Sequence, residues 1–131
     1  MKIPDKQTLE DSLKFHINGD ITVEVIKPLV YEFGRMVITI PVSSNRYDGA
    51  SLPFFLKAFW SGYNIHIIAA AILHDYIHST QFVDRFVADA FFRMVLSRTA
   101  NKVIAWFLWL GVRIGGWYAW NKSKKKLDLQ K

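Results

Sequence analysis

His74, Asp75 and His78 sit in one apolar run, AAAILHDYIHST, at residues 69–80. Asp89 follows in a second apolar run, FVADAFF, at residues 86–92. Ionisable groups in apolar helices are costly unless they are paired or used. On a helix, His74 and His78 are four residues apart and share a face. Asp75 lies one position round, so all three side chains fit an arc of about 100° at 3.6 residues per turn.

A carboxylate bonded to one ring nitrogen of a histidine fixes the tautomer and leaves the other nitrogen as a base. His74 with Asp89 can form such a dyad if their helices are antiparallel neighbours, which a short connection permits. The chemistry would be activation of water. Asp75 would then be placed to hold a hard cation such as calcium, with Asp48 of the RYDGASLP loop as a further oxygen donor. Spacing alone favours a plainer alternative, in which His74 and Asp89 are a buried hydrogen-bonded pair tying two helices together.

The segment HDYIH also lies one methylene from the H-E-x-x-H zinc pattern, with His78 as a second ligand. Aspartate is too short to place its carboxylate equivalently. A third ligand would have to come from His66 or Asp89. Zinc is therefore the weaker metal expectation. Arg85, four residues before Asp89, reads as a helix-face ion pair, which is a weak interaction.

The elements that must carry these residues are legible in outline. Residues 21–28, ITVEVIKP, alternate and predict a strand. Residues 29–34 read as a turn ending at Gly34, and RMVITIPV at 35–42 reads as a second strand. A loop is expected at 43–50, marked by Asp48-Gly49. Ser51 and Pro53 predict a helix start, with a short helix to about Trp60. A buried helix is expected over 64–79, because it is apolar nearly all round. Asp84 is placed to cap a helix from Arg85 to Leu96, broken at Ser97 to Thr99. A last helix is expected from Asn101 to Trp120, and a short helical turn at Thr8 to Lys14. The expected fold is α+β: a short N-terminal β meander or hairpin packed on three to four helices, with a central helical hairpin. A single domain is expected over 1–121, with a basic tail at 122–131.

Composition limits the function classes. A chain of 131 residues, half of them hydrophobic, can bury one sizeable core. With no cysteine, disulfides, thiolate zinc sites and a cysteine nucleophile are excluded. The net charge of +6 comes entirely from the second half, and Lys122, Lys124, Lys125 and Lys126 supply four of its cations. A basic end after a Trp-rich segment points to an anionic membrane surface as a partner. Nucleic acid fits less well, because the lysines form one terminal run and not a patterned face. From Val103 to Trp120 the one charge is Arg113, which disfavours a spanning helix. A core helix with an exposed Trp face, or a helix lying in the membrane interface, remains. The start, MKIPDKQTLEDSLKF, lacks the apolar run of a signal peptide. Export by the ordinary route is therefore not expected, and the basic, Trp-rich end suggests peripheral membrane association.

These motifs carry a resemblance. D-G-A-S-L-P at 48–53, H-D-Y at 74–76, D-R-x-x-A-D-x-x-F at 84–92 and V-R-I-G-G-W-Y-A-W at 112–120 together resemble the domain-of-unknown-function family numbered 1353. That family has D-x-A-S-x-P, H-D-x-x-Y and S-R-x-x-A-D-x-x-F in the same order, and is found largely in bacteriophages and prophages. Here His78 replaces its Tyr and Asp84 its Ser. The resemblance implies a phage or prophage origin, host cytoplasm or a virion as the location, and phage structural proteins among the partners. H-D-x-x-Y followed by A-D-x-x-F is also similar to the phospholipase A(2) core. That similarity implies His74 as base, Asp75 as calcium ligand and Asp89 as the group that orients the histidine. A metal-assisted esterase and a non-enzymatic virion (tail or neck) or host-interaction protein are the two functions carried forward.

Overall fold

The computed structural model describes residues 1–18, 20–47 and 65–130. Asp48, the D-G-A-S-L-P loop and the helix expected after Ser51 lie outside the described residues. The fold is α+β: small antiparallel sheets come first and a group of helices follows.

Helix α1 (Lys6–Ser12) begins where the Asp5 side chain accepts from Thr8 N at 2.8 Å. It starts and stops two residues earlier than the Thr8–Lys14 turn the sequence suggests, because Asp5 is the stronger cap. Strand β1 (Leu13–Asn18) pairs antiparallel with β2 (Asp20–Val25), Leu13 opposite Val25. Strand β5 (Ser43–Tyr47) adds to the other edge of β2. Strands β3 (Leu29–Phe33) and β4 (Met36–Ile40) form a separate hairpin. Its two-residue turn needs a positive φ, which Gly34 supplies at 62°.

The expected turn at 29–34 is therefore mostly strand. Leu29, Tyr31 and Phe33 alternate inward, and only Gly34-Arg35 turns. The second strand is shorter than 35–42, and the first five residues of the expected 43–50 loop pair as β5.

Helix α2 (Ile65–Thr80) is buried along most of its length, as its apolar surface demands. The connection back to α3 (Arg85–Thr99) places Gln81 at φ 51°. Asp84 caps α3, accepting from Val87 N at 2.9 Å. The helix runs through Ser97 and ends at Ala100, three residues beyond the expected break. Asn101 caps α4 (Lys102–Leu129), accepting from Ile104 N at 2.8 Å. α4 does not stop at Trp120. Lysine is a good helix former, and no Gly or Pro follows Gly116, so the basic end continues the helix.

α2, α3 and α4 pack on one another, and α1 rests on α2. Phe33 stacks on Phe91 with ring centroids 4.1 Å apart, joining the β3–β4 hairpin to α3. The core is continuous, from Val23 and Val25 through Ile72, Leu73 and Phe92 to Leu108 and Val112. Among the described residues, no helix is long and apolar enough to cross a membrane.

Candidate functional site

The helical hairpin brings His74 and Asp89 together. Three elements reach the same carboxylate. From α2, His74 Nε2 lies 2.6 Å from Asp89 Oδ1, and His78 Nε2 lies 3.5 Å from the same oxygen. From α4, Arg113 Nη1 donates to Asp89 Oδ2 at 3.0 Å. From within α3, Arg85 Nε stands 3.8 Å from Oδ2. Asp89 is fully buried, and His74 and His78 are 5% and 4% exposed.

These groups set one another's charge. Burial pushes the His74 pKa down from its usual 6.5, against the opposing pull of its bond to Asp89 and of the Asp89 and Asp75 charges. Burial pushes Asp89 up. Bonds from His74, His78 and Arg113 outweigh it and hold the carboxyl well below the usual carboxylate range. The pair at neutral pH is a neutral imidazole beside an ionised carboxylate. Nε2 then carries the proton and donates to Oδ1, and Nδ1 holds the lone pair.

Arg85 does more than form a helix-face pair. Its Nη2 donates to the Val112 carbonyl at 3.1 Å and also to the Arg113 carbonyl. The guanidinium thus grips the backbone of α4 beside the carboxylate. Gly116 lies against this contact. A Cβ there would stand 3.6 Å from both Arg85 Nη2 and His78 Cε1. Trp120, a turn further on, meets the His78 ring edge-on at a centroid distance of 5.0 Å. The Trp120 carbonyl accepts from Gln81 Nε2 at 2.8 Å, which ties down the strained turn between α2 and α3.

Arg113 is the member that sequence reasoning missed. It stood out only as the single charge in an apolar run. The signal was there: a lone arginine in such a run needs a carboxylate partner. Asp75 is half-buried next to His74, and its charge acts on that ring. Asp48 lies outside the described residues. Two hollows, of about 430 and 470 Å³, lie at the C-terminal end of α4, and no member of the cluster lines them.

The nitrogen and oxygen ligand atoms of His74, His78 and Asp89 all lie within 4.8 Å of one another, which raises the metal question. The 2.6 Å contact is a hydrogen bond. A tetrahedral zinc with bonds of about 2.0–2.2 Å would spread two donor atoms to roughly 3.4 Å. Arg85 and Arg113 on the far oxygen would also oppose a cation there. As placed, this is a hydrogen-bonded cluster.

The family of proteins of unknown function numbered DUF1353 matches residues 23–112 of the chain. The chain belongs to the DUF1353 family. The matched span holds His74, Asp75, His78, Arg85 and Asp89, and it ends one residue before Arg113. No curated protein and no solved structure matches the chain. DUF1353 membership carries no activity with it, so the chemistry rests on the cluster.

Proposed function

We propose that this DUF1353 protein is a hydrolase in which His74 is the general base and Asp89 the residue that positions it. The observation that carries the reading is the 2.6 Å contact from His74 Nε2 to a buried, ionised Asp89. A histidine pushed below its usual pKa stays neutral near pH 7 and can accept a proton. His74 Nδ1 takes a proton from water as the water oxygen bonds to an ester carbonyl carbon. The bond to the alcohol oxygen then breaks, and the Nδ1 proton leaves with the alcohol. Asp89 stays ionised throughout, because Arg113 and Arg85 face its second oxygen. It stabilises the transient imidazolium without taking its proton.

The substrate class is an ester of a lipid or another cell-envelope molecule, in a bacteriophage or prophage setting. This rests on the motif resemblances. Asp75 is the residue that would hold calcium, and a bound calcium would polarise the ester carbonyl. The test is fatty-acid release from mixed phospholipid vesicles, with calcium and with chelator. Wild type should release fatty acid, and His74→Gln should not while keeping its helical content. Equal release by both proteins would overturn the reading.

A second reading is favoured by the burial of His74 and Asp89. A carboxylate gripped from α2 and α4 also serves as a staple between three helices. The protein would then be a non-enzymatic virion or host-interaction component. Under that reading His74→Gln lowers stability and no hydrolysis is seen from either protein.

A further inference from the structure

α4 has two apolar faces. Ala105, Leu108 and Val112 are fully buried against the rest of the fold. On the other side, Val103, Trp106, Leu110, Ile114, Trp117 and Tyr118 are each between 48% and 79% exposed. Their spacing of three and four residues confines them to an arc of about 120° and a length of about 22 Å. Contiguous apolar surface of this kind marks an interface.

Chemistry along the same face selects the partner. Trp106, Trp117 and Tyr118 combine an apolar ring with a polar tip, which suits the boundary between headgroups and acyl chains. Lys124 and Lys125 continue the stripe in the next two turns, Lys122 lies just outside its edge, and Lys126 lies further round the helix. Among residues 121–129 these four lysines face a single acidic residue, Asp128. Arg113 does not oppose insertion, because its guanidinium is turned to Asp89. Two copies of the chain fit this face poorly. Parallel pairing sets lysine against lysine, and antiparallel pairing lays lysines over the apolar stripe.

We infer that the outer face of α4 docks in the plane of an anionic phospholipid bilayer, with the stripe at the acyl boundary and the lysines on lipid phosphates. The helix lies in the interface and does not cross it. This docking is independent of the hydrolase reading, since no residue of the stripe belongs to the His–Asp cluster.

The experiment is co-sedimentation of the full chain with phosphatidylcholine vesicles, with and without phosphatidylserine, at low and high salt. Tryptophan fluorescence is read in parallel. Binding should be strong with phosphatidylserine, with a blue shift, and weaker without it or at high salt. Replacing Lys122, Lys124 and Lys125 by glutamine should lower partitioning to anionic vesicles by roughly a hundredfold, at about fivefold per lysine. Ile114→Asp with Trp117→Asp should abolish binding to either vesicle while helical content is kept. His74→Gln should bind as wild type does, so a failure of catalysis leaves this result intact. Three results would overturn the inference: no binding to anionic vesicles, undiminished binding by the Ile114/Trp117 variant, or a stable dimer in solution that the same two substitutions dissociate.

Discussion

Asp89→Asn isolates the role of the buried charge, because asparagine matches aspartate in size and leaves no cavity. The amide has one acceptor and one donor where the carboxylate had two acceptors. If its oxygen faces His74 Nε2, its NH₂ group faces Arg113 Nη1, donor against donor. If it flips, Arg113 keeps an acceptor and His74 must change tautomer. The first arrangement strands Arg113, and the second pairs both neighbours only by moving the His74 proton to Nδ1. Breaking a fully buried ion pair costs about 3–5 kcal/mol. Arg113 and Arg85 have side chains 30% and 18% exposed, so water screens part of the stranded charge. The expected loss is about 2–4 kcal/mol, read by urea denaturation followed by circular dichroism at pH 7. The loss should shrink in an Arg113→Met background, because the guanidinium that was stranded is gone. A coupling of about 1 kcal/mol or more is expected from that double-mutant cycle. A loss below about 0.5 kcal/mol for Asp89→Asn, or strict additivity with Arg113→Met, would refute the view that the carboxylate is an ionised hub between three helices.

The same cluster predicts how stability depends on pH. His74 is depressed in the fold, so the unfolded chain binds the extra proton first, and stability should begin to fall as pH drops through about 6.5. Asp89 is also depressed, so its contribution is present above about 3.8 and is lost progressively below it. Urea midpoints across that range should decline in two stages, and His74→Gln should remove the first. At Gly116, alanine meets its neighbours at ordinary contact distance and gains helix propensity. Gly116→Ala should therefore be neutral or stabilising by up to about 1 kcal/mol, whereas Gly116→Leu should destabilise by about 1–3 kcal/mol by driving into His78 and Arg85. Thermal melts of both variants check this. Gln81→Ala keeps the positive φ but loses the bond to the Trp120 carbonyl, and should cost about 1 kcal/mol in the same assay.

The central hairpin was readable because local signals agreed. An all-apolar helix, a five-residue connection and Asp84 as cap fixed two antiparallel helices, and helical spacing then brought His74 to Asp89. Arg113 stayed hidden because its partner is 24 residues away on a third helix, beyond the reach of any periodicity. The β layer was half readable. Gly34 signalled a turn, and the turn reading carried back over Leu29–Phe33 and masked its alternation. Ser43–Tyr47 reads SSNRY, which has no apolar alternation to mark it as a strand, yet it pairs with β2. The lysines after Trp120 read as a basic tail beyond the last helix, yet the same residues favour helix, and α4 runs on through them.

The most direct test of the central claim is the initial rate of fatty-acid release from mixed phospholipid vesicles as a function of pH, in calcium. A neutral base held by Asp89 predicts a rate that stays on its plateau below pH 6.5 before it falls, and that is lost at every pH in His74→Gln. No release at any pH, or release undiminished in His74→Gln, would contradict the claim and leave the His–Asp–Arg cluster as a staple between helices.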